Sequence, residues 1–188
     1  MTITKINADV MNMADDYAFT GDVTGAGGGK VKQVVYTNSN AFLSSSTTVP
    51  FDDTIFQNTE GFEILTLAIT PTASNSILQF NFSCTYGATS GYAGRLGLFQ
   101  DTTADALCSQ YIYIYGYGHI TLQHLMTAGT TSATTFKIRG GADGGTTTVN
   151  GIPSARKGGA IPHTTFSCLL YTSPSPRDRS LSRMPSSA

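Results

Sequence analysis

"FEILTLAITPTASNSILQFNFSCTY", residues 62–86, alternates apolar and polar side chains on both sides of a Pro-Thr-Ala-Ser-Asn break. Period two is strand geometry, because successive side chains point to opposite faces. On the first arm Leu65, Leu67 and Ile69 share one face, and Ile64, Thr66, Ala68 and Thr70 the other. The first set is the predicted core face. On the second arm Ile77 precedes Leu78, Phe80, Phe82 and then Cys84 or Tyr86 at the same period. The short turn between two matched apolar faces predicts a hairpin.

The same texture extends in both directions. "KVKQVVYT" (30–37) is β-branched and loosely alternating, and residues 44–61 are turn chemistry around a short strand. "GRLGLFQD" (94–101) reads as a shorter strand broken by Gly97, and "TADALCSQ" (103–110) is compatible with one helical turn. In "QYIYIYGYGHITLQHLMTAG" (110–129), Ile112, Ile114, Ile120, Leu122, His124 and Met126 share even parity. Tyr111, Tyr113, Tyr115 and Tyr117 share odd parity, with a turn or bulge at Gly116 and Gly118. "SATTFKIRGG" and "TTTVNGI" predict a second hairpin across "GGADGG", and "GGAIPHTTFS" (158–167) a last strand ending at Ser167. Eight or nine short strands without βαβ alternation predict an all-β fold, a β-sandwich of jelly-roll type.

Composition agrees. Only 12 % of the 188 residues are charged, about half the usual share, and 20 glycines with many Thr and Ser take their place. Residues 1–167 carry 8 Lys and Arg against 11 Asp and Glu, a net −3. No basic stripe is present, which argues against a nucleic-acid partner. No apolar run reaches the length of a membrane span, so no membrane insertion is expected. The start "MTITKINADVMNM" lacks the apolar core of a signal peptide, so folding in a cytoplasm is expected. Of three cysteines, Cys84 and Cys108 lie in strand-like runs and read as thiols buried as small hydrophobes.

Both ends differ from the middle. Residues 1–29 lack a sustained helical stripe and run into the glycine joint Gly27–Gly29, so a domain boundary is placed near Lys30. The leader reads equally as disordered or as a docking segment. At the other end, "CLLYTSPSPRDRSLSRMPSSA" (168–188) brings Arg177, Arg179 and Arg183 against Asp178, a net +2, and no strand pattern. It resembles translated sequencing-library adapter. The transposon-end bases TGTCTCTTATACACATCT encode Cys-Leu-Leu-Tyr-Thr-Ser, and the bases that follow encode Pro174–Asp178. A short index would span about Arg179–Leu181, and flow-cell sequence accounts for Ser182–Ala188. The resemblance implies that 168–188 is an artefact and that 30–167 is a domain whose last strand is truncated, its edge open to being unpaired.

"VPFDDTIFQNTEGFEILTLAITPTASNSILQF", "LFQDTTADAL", "HLMTAGTTSATTFKIRGGADGGTTTVNG" and "SARKGGAI" resemble, in order and spacing, a head domain of tail-fibre and other virion structural proteins of tailed phages. The similarity covers about residues 31–167 and extends to prophage-derived bacterial genes. Phe56 departs from it, standing where the family has proline after "DDTI". The resemblance implies a homotrimer at the tip of a fibre, located in the virion after assembly in the host cytoplasm. It further implies contact with other tail or baseplate proteins through the leader, a host-surface glycan or protein as partner, no cofactor and no enzymatic activity. A bacterial or prophage-encoded surface adhesin is the alternative, and a polysaccharide depolymerase a more distant one.

The residues that carry chemistry are sparse. Asp52, Asp53, Glu60 and Glu63 flank a Thr/Asn/Gly turn, where solvated, Asx-type caps are expected rather than a shielded acid pair or an ion site. His119 and His124 are five apart, so on one strand they face opposite sides and share no metal; His163 follows Pro162 and reads as a surface residue. Tyrosine offers broad area, few torsions and a hydroxyl, which suits wet recognition. The tyrosines therefore read as cross-strand aromatics, as a trimer interface or as a host contact. The candidates for receptor binding are Tyr115, Tyr117 and His119 in one predicted turn and Asp143 in the Gly140–Gly145 loop. Tyr111 and Tyr113 are the candidates for an oligomer interface.

Overall fold

The computed structural model describes residues 31–172 apart from 90, 114–115 and 161–162, so the leader and residues 173–188 lie outside the described residues. The strands are β1 (Val31–Ser39), β2 (Leu43–Ser45), β3 (Phe62–Ile69), β4 (Ile77–Ala88), β5 (Ala93–Gln100), β6 (Cys108–Tyr113), β7 (Gly116–Thr127), β8 (Thr134–Ala142), β9 (Thr147–Val149), β10 (Gly151–Ile152), β11 (Ala155–Arg156) and β12 (Thr164–Tyr171). Pairing is antiparallel throughout the named strands. One sheet runs β1-β12-β4-β7, with short β9 and β2 continuing from β4 beyond the end of β12; the other runs β3-β8-β5-β6. Among the eight long strands, consecutive members change sheets at every step but β5 to β6, and the orders 1-8-3-6 and 2-7-4-5 make a jelly roll.

The core lies between the two sheets. Leu78, Phe80, Phe82, Cys84 and Tyr86 of β4 and Phe166, Cys168 and Leu170 of β12 meet Leu67, Ile69, Leu96, Leu98, Phe136 and Ile138 from the other sheet. Phe80 spans the gap, its ring 4.4 Å from that of Phe136 and 6.1 Å from that of Phe166. Each such side chain contributes about 1.5–3 kcal/mol by leaving water. The Tyr86 hydroxyl, also buried, donates to the Gly141 carbonyl at 2.8 Å.

Several expectations are corrected. The strands of residues 62–86 are not a hairpin: β3 pairs with β8 and β4 with β7 and β12. The 70–76 turn instead carries the chain across the sandwich, tied by Ala128 N to Ser76 O and Gly129 N to Ser74 O, both at 2.8 Å. Two matched apolar faces bury as well face to face as side by side, so alternation could not distinguish the two. The second predicted hairpin fails likewise, since β9 leaves β8 to join β4. On β3 a bulge between Glu63 and Leu65 shifts the register, so Ile64 turns inward with Leu67 and Ile69 while Leu65 is half-buried. The last strand does not end at Ser167, and its edge is not unpaired. β12 runs to Tyr171 between β1 and β4, with Cys168 and Leu170 fully buried.

Gly97 does not break β5, and 103–107 forms no helical turn. The β2–β3 connection folds over the outer face of the β3-β8-β5-β6 sheet. It is held by Val49 N to Ala142 O at 2.9 Å, Asn58 N to Ala104 O at 2.8 Å and Ala106 N to Phe56 O at 2.9 Å. Phe56 fills a second small core with Val49 and Phe99. It stands directly on Gly97, where a Cβ would come within 2.5 Å of the Phe56 ring. That close approach explains a glycine in mid-strand.

Candidate functional site

The outer face of the β1-β12-β4-β7 sheet is nearly uncharged: among its described residues Lys32, at the bulge near the start of edge strand β1, is the one full charge. Its cross-strand rows read Val34–Leu169–Gln79–Leu125, Tyr36–Ser167–Asn81–Gln123 and Asn38–Thr165–Ser83–Thr121. Further along the sheet come Ile77, Thr85, His119, Tyr117, Thr127 and Tyr171, and no Asp, Glu, Lys or Arg stands in these rows. Val34, Tyr36, Tyr117 and Leu125 are each more than half exposed. A surface-facing strand set normally carries several charges, and their scarcity over this face is a property of interfaces.

The four tyrosines read as one face are divided. Tyr111 and Tyr113 project from β6 in one sheet and Tyr117 from β7 in the other, because the chain changes sheets between residues 113 and 116. Gly116 takes φ of 100° at the change, which glycine alone accepts without strain. Tyr115 lies outside the described residues. Tyr117 and His119 do not occupy a turn; they sit on β7 opposite Gly87 and Thr85, both exposed on the nearly uncharged face. Gly140 and Gly141 likewise belong to β8 and are buried.

One end of the sandwich gathers three segments. The Tyr113 hydroxyl donates to Gly91 O at 3.4 Å, Thr146 N donates to Thr89 Oγ1 at 2.9 Å, and Gly144 and Gly145 pack on Tyr92. Asp143 Oδ1 accepts from Ala93 N at 2.8 Å, so this candidate acceptor also fixes its own loop. The sequence reading missed Arg95 and Phe51. A lone arginine inside the apolar run "AGRLGLF" was the signal that could have found the first.

The carboxylates serve separate posts. Asp52 Oδ1 accepts from Thr54 N at 3.0 Å and from its hydroxyl at 2.5 Å, an Asx cap that holds the Asp52 carboxyl below its usual range. Glu60 Oε2 accepts from Gln57 N at 2.9 Å. Glu63 accepts from the Thr66 hydroxyl, which lowers its pKa, and pairs with Lys137 at 3.2 Å. Among the described residues no three His, Cys, Asp or Glu side chains stand where they could share an ion. Cys84, Cys108 and Cys168 are free thiols. Burial pushes Cys108, which is only half-buried, up to about 11 and Cys168 up to about 12. Burial also lowers the pKa of His124, on the inward side of β7.

No protein-family model matches the chain, and no curated protein matches it. Among solved structures it is similar to dimeric latent PorU from Porphyromonas gingivalis, at 9 % identity and a TM-score of 0.37. The match covers 78 % of this chain and 14 % of that one. A likeness that low carries no argument. The molecule stands, on its own strands, as an all-β sandwich with one nearly uncharged sheet face.

Proposed function

We propose that the chain is a virion structural protein, the head of a tailed-phage fibre that assembles as a homotrimer and displays a host-surface binding domain. Its N-terminal segment joins it to other tail or baseplate proteins in this reading, and its role is display rather than catalysis. The nearly uncharged outer face of the β1-β12-β4-β7 sheet is the observation that carries the reading. Four strands about 4.8 Å apart and ten residue steps of about 3.4 Å along β4 give roughly 650 Å² of sheet. A standard interface takes about 800 Å² per partner, so this face and its rim suffice for a stable contact between copies. Covering its inner rows desolvates no full charge, since Lys32 stands at the β1 rim, which makes association inexpensive.

Light scattering coupled to size exclusion tests the assembly. The expected mass is that of three chains, and Leu125→Lys, which sets a charge among the exposed side chains of edge strand β7 on this face, should release monomers that melt as the parent subunit does. A monomer mass over a broad concentration range would overturn the trimer. Genes for tail or baseplate proteins beside the parental locus are the expected genomic context.

A further inference from the structure

We propose that the cleft between residues 51–56 and β6, floored by Arg95, is a binding site for a neutral pyranose sugar. Arg95 points outward from β5, opposite in parity to the core residues Leu96 and Leu98, and lies beneath the β2–β3 connection with 6 % of its surface exposed. Its guanidinium carbon is 5.3 Å from the centre of the Phe56 ring and 4.5 Å from that of Tyr111. Nη2 donates to Thr54 O at 3.0 Å and to Ser109 Oγ at 3.5 Å. Nε and Nη1 are buried and have no acceptor. Buried donors are nearly always paired, so two orphans on one cation mark where oxygens from outside the chain belong.

The surroundings select the ligand. The cleft holds about 490 Å³, within the range of small-molecule sites, and a second opening of about 220 Å³ reaches the same arginine past Ser109. Phe51 and Tyr111 form one wall, edge to face with ring centres 5.4 Å apart, and both are exposed. Aromatic rings of this kind take the C–H face of a pyranose. Asp52 and Asp53 form the lip. Thr54 occupies only Oδ1 of Asp52, which leaves carboxylate oxygens to accept from sugar hydroxyls. The same two acids repel an anionic sugar at the mouth, so a uronic or sialic acid is disfavoured even though the floor is cationic. The Tyr111 ring covers the guanidinium, held by that cation–π contact at 4.5 Å, by the Phe51 contact and by one long hydrogen bond, from its hydroxyl to Asp52 O at 3.3 Å. An outward swing of that ring admits the ligand oxygen.

The site gives the proposed surface-recognition role a ligand class, and rests on that reading only for where the sugar would be met. Saturation-transfer NMR on the full chain tests it, with methyl α-glucopyranoside, methyl α-galactopyranoside and methyl α-mannopyranoside as probes and glucuronate as the anionic comparison. At about 10 mM a probe with a Kd near 1 mM fills about nine sites in ten. Transfer to the ring protons of at least one neutral probe is expected. It should fall about fivefold or more in Phe51→Ala and in Asp53→Asn, both exposed positions whose melting curves should match the parent. No transfer to any neutral probe, transfer unchanged in both variants, or glucuronate equal to the neutral sugars would each overturn the site. A trimer without transfer loses the cleft and keeps its assembly; a monomer with transfer keeps the cleft and loses the fibre-head reading.

Discussion

Replacing Leu170 by Ala probes the segment on which sequence and structure make opposing claims. Leu170 is fully buried between the sheets, and its strand is hydrogen-bonded on both sides, to β1 through Gln33 and to β4 through Leu78. Leu→Ala at such a site costs about 2–5 kcal/mol, from lost transfer energy plus the cavity left behind. For a domain of this size each kcal/mol moves the midpoint by about 3–4 °C, so the melting temperature should fall by roughly 6–20 °C. Leu169→Ala, on the half-buried outer side of the same strand, should cost far less, about 1 kcal/mol. Deleting residues 168–188 removes Leu170, Cys168 and the partner of half of β1 together. That loss rivals the whole stability of about 5–15 kcal/mol typical of a domain, and a chain that expresses insolubly or unfolded is expected. Calorimetry or a circular-dichroism melt reads all three variants. A deletion variant as stable as the parent, with Leu170→Ala within about 2 °C of it, would refute the place of these residues in the core.

The origin of the same segment is tested at the DNA level. Amplifying the parental locus across the codon for Ser167 should show a different continuation and a nearby stop, with small or apolar residues at the positions of Cys168 and Leu170. Recovery of "CLLYTSPSPRD" from unamplified genomic DNA would sink the adapter reading. Gly97→Ala should destabilise by about 1–3 kcal/mol, because the new methyl meets the Phe56 ring at 2.5 Å; an unchanged chemical-denaturation midpoint would count against the close packing of the β2–β3 connection. Folded His124 holds its proton less tightly than the unfolded chain does, so the unfolded state binds more protons below its pKa near 6.5. Stability should be full above that pH and decline as pH falls from about 7 to 5. His124→Gln should flatten this part of the curve, and a parent equally stable at both pH values would exclude it.

Period-two alternation at Leu78, Phe80 and Phe82, and again at Ile120 and Leu122, made the all-β class and the core faces legible, because the pleat forces every second side chain to the same side. The scarcity of charge pointed to a chain that hides surface, and the Asx cap at Asp52 was readable from its neighbours in sequence. These are local properties, and sequence by itself determines them. Which strand lies beside which was decided only by the tertiary structure. A turn of a few residues can return a strand within its sheet or lift it across the sandwich, and alternation is identical in both cases. The jelly-roll order, the division of the tyrosines between Tyr113 and Tyr117, and the nearly uncharged face all follow from that choice. Arg95 shows the limit most clearly. Thr54, Phe56, Ser109 and Tyr111 come from two other segments of the chain, and only folding brings them around one guanidinium and leaves two of its nitrogens unmatched.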